Sequence, residues 1–351
     1  MSQNTSIEWT DSTWNPIRGC TRVSEGCRNC YAERVAARFS GPGQPYEGLA
    51  MRGPARWTGK VALVESALTD PLRWRKPRKC FVNSMSDLFH ESVPDEWIDR
   101  IFAVMALAPH ITFQVLTKRP ERMADYCDGL TCLRGAHRLA AAVRAAATPR
   151  SQGHSLNVIR RLLHEGGAGA VPLPNVWLGV SVEDQATADA RIPLLLQTPA
   201  AVRSVSAEPL LGPVDFGAVR MTHGGRENVL RGDVSNFARR NGIDRLNSVD
   251  WLIVGGESGP GARPCDVEWV RSIVRQCRAA GVACFVKQLG ARPVGDGCAC
   301  SAEEGNEGAH LLECYLRLRS RNGGDPAEWP EDLRVREFPS AEVNAKAGGG
   351  R

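Results

Sequence analysis

Six short apolar runs separated by amphipathic stretches constrain the fold of this chain more than any other feature. They are residues 80–84 (CFVNS), 112–116 (TFQVL), 176–182 (VWLGVSV), 202–206 (VRSVS), 251–255 (WLIVG) and 283–287 (ACFVK). Each is apolar nearly throughout, as expected of strands covered on both faces. Their alternation with helical patterns predicts repeated β–α units around a parallel sheet. A weaker strand is expected earlier, near 14–18. Pro94 opens a helical pattern carried by Trp97, Ile98, Ile101, Phe102 and Met105. Asp266 is a good N-cap for a helix with Val267, Val270, Ile273, Val274 and Cys277 on one face. Residues 138–147 are alanine-rich and helical, and no internal repeat is visible.

The pattern predicts one α/β domain, a parallel barrel or a doubly wound sheet, over residues 1–339. Stretches of low apolar periodicity at about 127–174 and 217–248 read as insertions between units. The tail, 340–351, ends in AKAGGGR and reads as disordered. With 351 residues the chain is long enough for a large core. Its net charge of +5 permits a nucleic-acid partner without demanding one. No apolar run approaches the roughly 20 residues of a membrane span, and the polar N-terminus lacks a signal-peptide layout. A cytoplasmic location is therefore expected, with no membrane partner. Twelve cysteines are many for a reducing compartment. Clustered ones there read as metal ligands or reactive thiols, isolated ones such as Cys80 as small buried hydrophobes.

Ionisable groups follow almost every strand. Asp87, Lys118, Glu183, Glu208, Glu257 and Lys287 all lie just beyond an apolar run. The carboxyl ends of parallel strands form the active face of barrels and doubly wound sheets, so these groups are expected to share one cavity. The plain alternative is that strand ends turn polar as they reach solvent. Glu208 reads as an acid/base group or as a salt-bridge partner for Lys287. Lys118 and Arg119 precede Pro120, a helix start that can receive an anion. Residues 74–79 (WRKPRK) form a basic run that reads as a solvated connection or a phosphate contact.

The motif G-C-T-R-V-S-E-G-C-R-N-C-Y places Cys20, Cys27 and Cys30 at C-x6-C-x2-C spacing. Three thiolates can bind three irons of a [4Fe–4S] cluster and leave the fourth open for S-adenosylmethionine. Reduction of such a pair releases a 5′-deoxyadenosyl radical, which makes a radical-forming enzyme the leading expectation. The alternatives are a zinc site with a fourth ligand elsewhere, and incidental buried thiols. Cys284, Cys298, Cys300 and Cys314 could form a second metal site, although their spacing matches no familiar pattern; Cys127, Cys132 and His137 are a similar weak group.

Taken together, the segments WNPIRGCTRVSEGCRNCYAE, FVNSMSDLFHE, LTKRPERM, VWLGVSVED, SAEPLLGP, WLIVGGESGPGARP, FVKQLG and DPAEWPEDLRVREFP span nearly the whole chain. In these the sequence resembles the phage-associated three-cysteine-motif proteins, an uncharacterised group related to radical S-adenosylmethionine enzymes. The resemblance implies a partial TIM-like, radical-enzyme-like (β/α) barrel, a cluster on Cys20, Cys27 and Cys30, and sometimes a protein partner encoded nearby. It names no substrate. Radical enzymes often hold the methionine amino group with a Gly-Gly-Glu segment after the second strand. Here Gly255-Gly256-Glu257 follows a late strand, so Ser86 and Asp87 take that expected place, with Glu183 and Glu257 as further cofactor contacts. Glu208, Lys287 and Lys118 remain as catalytic candidates on an unknown, possibly nucleic-acid-related substrate. Two rivals are a non-catalytic zinc- or iron–sulfur-binding protein that contacts nucleic acid or a protein, and a barrel that has lost catalysis and serves as a scaffold.

Overall fold

The computed structural model describes residues 5–164, 172–240, 242–243, 246–295, 316 and 318–340. Seven strands form one sheet: β1 (Ser12–Trp14), β2 (Arg78–Val82), β3 (Ile111–Thr117), β4 (Val176–Ser181), β5 (Val202–Ala207), β6 (Trp251–Gly255) and β7 (Ala283–Gln288). They lie side by side in chain order, and every neighbouring pair is parallel. The sheet curls but stays open, a half barrel resembling part of a TIM barrel. All six strands expected from the apolar runs are present. The early strand differs. Ser12–Trp14 joins the sheet, whereas Ile17–Arg18 pairs separately and antiparallel with Ala62–Leu63. Pro16 lies between them and has no N–H to continue the ladder; its carbonyl instead accepts from Val64.

Helices α1 (Tyr31–Arg38), α2 (Asp95–Leu107), α3 (Pro120–Gly129), α4 (Leu133–Ala146), α5 (Gln152–His164), α6 (Gln185–Gln197) and α7 (Val267–Ala280) occupy the connections. Pro94 precedes the first residue of α2, and the Asp266 carboxylate caps α7 by accepting from the Glu268 N–H. Within 127–174, α4 packs on α2 and α5 on α4, so Leu139, Val143 and Leu162 join the main core. Within 217–248, short antiparallel strands (Val219–Arg220, Arg226–Glu227) precede a short helix (Asn236–Arg240). Of the expected disordered tail, only Ser340 lies within the described residues.

Alternation along the strands divides the sheet into two faces. Leu178, Val205, Leu252, Val254 and Val286 point to the helical core. Trp177, Val202, Trp251, Ile253 and Phe285 point inward, where Trp9 and Phe338 close over them. Trp251 stacks on Phe338 at 5.4 Å and meets Trp177 edge-on at 5.7 Å. The two ends of the chain are joined by the Glu8–Arg336 ion pair at 3.4 Å. This aromatic layer fills the lower half barrel, so any ligand space lies above it, at the carboxyl ends of the strands. Among the described residues no helix is long and apolar enough to cross a membrane.

Candidate functional site

A cavity of about 450 Å³ opens at that end of the sheet. Trp9, Phe81 and Leu116 supply apolar lining, Asn83, Ser181 and Ser206 polar lining, and Lys118, Arg119, Glu208, Glu257 and Lys287 charge. The loop 20–30 lines it as well, through Cys20, Thr21, Gly26, Cys27, Asn29 and Cys30.

Polar contacts fasten this loop to the strand ends. Ser24 Oγ donates to Glu183 at 3.1 Å, and Asn29 Nδ2 donates to Glu257 at 2.9 Å. The Arg119 guanidinium donates to the Thr21 hydroxyl at 2.6 Å, and His90 Nε2 lies 3.0 Å from the same oxygen. Because His90 Nδ1 accepts from the Ser92 N–H, the proton of the neutral ring sits on Nε2 and points at Thr21. Gly26 is required by close approach: a Cβ there would lie 2.3 Å from a Glu183 oxygen.

Most of the carboxylates expected to hold a cofactor are already engaged. Asp87 pairs with Arg119 at 3.0 Å and accepts from the Thr117 hydroxyl and the Phe89 and Lys118 N–H groups. Glu183, 1% exposed, pairs with Arg191 at 3.0 Å and Lys118 at 3.3 Å. Glu257 pairs with Arg263 at 2.7 Å. Burial pushes the Glu257 carboxyl up, but hydrogen bonds from Arg263 and Asn29 outweigh it and hold the group below its ordinary range. Ser86 Oγ donates to the Ile17 carbonyl. Arg119, at the start of α3, turns to Asp87 and Glu91 rather than leaving its charge for an anion.

Glu208 and Lys287 form a pair at 2.6 Å with side chains 17% and 22% exposed, both on the cavity wall. The Gln288 amide donates to the same Glu208 oxygen at 3.0 Å and to the Gly256 carbonyl. The structure thus gathers Lys118, Glu208, Glu257, Lys287, Ser86 and Asp87 around one cavity, while Glu183 lies behind Lys118.

The metal expectation is corrected. Among the described residues no group of three or more His, Cys, Asp or Glu side chains is gathered so as to hold a metal ion. Cys20 and Cys30 pack against an apolar cluster of Ala32, Ala36, Tyr46, Leu49, Ala50 and Trp57. Burial pushes the Cys20 thiol up to about 12 and raises Cys30 as well, so both are neutral thiols at pH 7 in this arrangement. The residues do not fit a [4Fe–4S] cluster. Without that cluster S-adenosylmethionine has no open iron to bind, and the radical-enzyme reading falls with it. The metal-binding rival, zinc or iron–sulfur, fails on the same finding. Cys284 is buried beside Cys277, and Cys298, Cys300 and Cys314 lie outside the described residues.

Several site residues carried no advance signal. Trp9 and Thr21 come from outside the strand ends, and the partners of Ser24 and Asn29 lie 159 and 228 positions away. Asn83 had a faint one, an Asn at the end of an apolar run, where left-handed turns are often begun.

No curated protein and no solved structure matches the chain. The expected kinship with phage-associated three-cysteine-motif proteins is replaced by what the family comparison finds, which carries neither a phage association nor a metal motif. A model described as "Protein of unknown function (DUF5131)" matches residues 4–334, and the chain belongs to that DUF5131 family.

Proposed function

We propose that this protein binds a small organic molecule in the mouth of its half barrel and acts on it through Lys287 and Glu208. The ligand has a flat apolar body, which lies against Trp9, Phe81 and Leu116, and an anionic group, which meets the Lys287 ammonium. One observation carries the reading. Glu208 and Lys287 form an ion pair open to the cavity, while the neighbouring carboxylates Asp87, Glu183 and Glu257 are held by arginines. A carboxylate and an ammonium in contact can take up and return a substrate proton out of bulk water. Lys118, 18% exposed and tied to Glu183, adds positive charge on the same wall. A cytoplasmic location belongs to the same proposal, supported by the nine free cysteines among the described residues.

The test is a titration of the full chain with 4-acetylbenzoate, read by tryptophan fluorescence, since Trp9 and Trp57 line the cavity. Lys287→Met should weaken binding about tenfold or more, the loss of a charge-assisted hydrogen bond. Glu208→Gln should strengthen it, because the ammonium is released from its internal partner. Absence of saturable binding, or indifference to Lys287→Met, counts against the proposal.

A further inference from the structure

Asn83 is the one non-glycine residue among those described whose backbone is left-handed, with φ of 59°. It follows β2, is 2% exposed and lines the cavity. Its backbone is committed: the N–H donates to the Trp14 carbonyl at 2.8 Å, and its carbonyl accepts from Ser86. Its side-chain Oδ1 accepts from the Ile17 N–H at 3.3 Å. That contact fixes the amide orientation, since a flipped side chain would set two donors against each other. The Nδ2 group is buried and has no hydrogen-bond partner among the described residues.

An unpaired buried donor is costly, and so is a left-handed backbone at a residue other than glycine. Both occur together here, on a cavity wall. The surrounding lining on the inner face is uncharged: Phe81 precedes Asn83 by one strand period, and Leu116, Ser181 and Ser206 continue the wall across β3, β4 and β5. The charged lining comes from other positions: Asp87, Lys118 and Arg119, and Glu208, Glu257 and Lys287.

We infer that Asn83 reads the inner end of the ligand, and that this end is a carbonyl oxygen. The inference rests on the small-molecule reading above and names the chemical class within it: flat molecules with an anionic group at one end and a neutral carbonyl acceptor at the other. A neutral carbonyl oxygen supplies the one acceptor that Nδ2 lacks, and the ligand's charge is matched at Lys287. The carbonyl oxygen accepts from Nδ2 while the anionic end stays with Lys287.

The experiment compares 4-acetylbenzoate with 4-isopropenylbenzoate, in which a methylene group replaces the carbonyl oxygen with little change of shape. The full chain should bind the ketone about tenfold more tightly, the worth of one buried hydrogen bond. In Asn83→Asp, which keeps the acceptor for Ile17 and tolerates a left-handed backbone, that preference should disappear. Asn83→Gly provides a second variant that relieves the backbone and removes the amide; it too should bind both compounds alike. Equal binding of the two compounds by the unaltered chain overturns the role of Asn83 and leaves the small-molecule reading standing. A preference that survives in both variants also overturns it. Failure of both compounds to bind removes the small-molecule reading itself, and this inference with it.

Discussion

Asn29 Nδ2 donates to Glu257 Oε2 at 2.9 Å, joining the cysteine-bearing loop to the end of β6 across 228 positions of sequence. The same carboxylate is held from the other side by Arg263. The roof of the cavity is therefore attached to the sheet by a charge-assisted hydrogen bond. Asn29→Ala should raise amide exchange in residues 20–30 roughly tenfold while leaving β3 and β4 protected. Uniform exchange across loop and sheet would show that the contact does not hold the loop.

The Glu257 carboxyl lies below its ordinary range, so its contribution is fully present above the unfolded value of about 4.3 and is lost as pH falls through the folded one. Loop protection should accordingly drop on acidification below about pH 4. Glu257→Gln should already show the loosened loop at neutral pH, with a flatter acid response. A loop equally protected at pH 3 and pH 7 in the unaltered chain would contradict this assignment.

His90 gives a second pH dependence at milder acidity. Burial and the nearby Arg119 charge lower its pKa, so the folded protein holds it neutral. The unfolded chain takes up the proton more readily. Stability from this group is complete above about 6.5 and declines as pH falls toward the folded value. Protonation also costs the Ser92 N–H its acceptor at Nδ1. His90→Gln keeps a donor and an acceptor without titrating, and its melting temperature should vary less between pH 7 and pH 5. Parallel melting curves for the two proteins would refute this.

Gly26→Ala should destabilise the protein by about 1–3 kcal/mol, the usual cost of overpacking, because the added methyl group meets the buried Glu183 carboxylate. Gly43→Ala is not a fair control, since Gly43 has a positive φ. Gly53→Ala is one: nothing lies within 4 Å of a Cβ there. Chemical denaturation compares the two, and equal midpoints would mean that the loop gives way at no cost.

The thiols offer a test of the corrected cysteine reading. Cys132 is exposed, whereas burial drives Cys20 up to about 12. Iodoacetamide at pH 8 should modify Cys132 first and Cys20 on the order of a hundredfold more slowly, in line with its small thiolate fraction. Comparable rates, read by peptide mass spectrometry, would contradict the neutral-thiol account.

The strands were legible because a parallel strand covered on both faces must be apolar at nearly every position, and runs such as WLIVG leave little other choice. The shared cavity was legible for a related reason: strands that run parallel end on the same side, so Lys118, Glu208 and Lys287 had to meet there. The cysteines misled because spacing along a chain says how far thiols can be apart, not what lies between them and water. Cys20 and Cys30 found Trp57, Tyr46 and Leu49, an apolar setting. Nor could the sequence say which charges would be consumed internally. Asp87 and Glu183 looked as available as Glu208 until Arg119 and Arg191 were seen against them.

The aromatic layer under the cavity draws on a residue before the first strand, Trp9, and one after the last, Phe338. Trp251 stacks on Phe338, donates its indole N–H to the Glu337 carbonyl and meets Trp9 edge-on at 6.1 Å. During ribosomal synthesis all seven strands emerge before Phe338, so the face of Trp251 on which Phe338 stacks stays open until residues 337 and 338 follow. A chain stopped before Glu337 should therefore collapse without its fixed tryptophan environment, visible as lost near-ultraviolet dichroism with helical content retained.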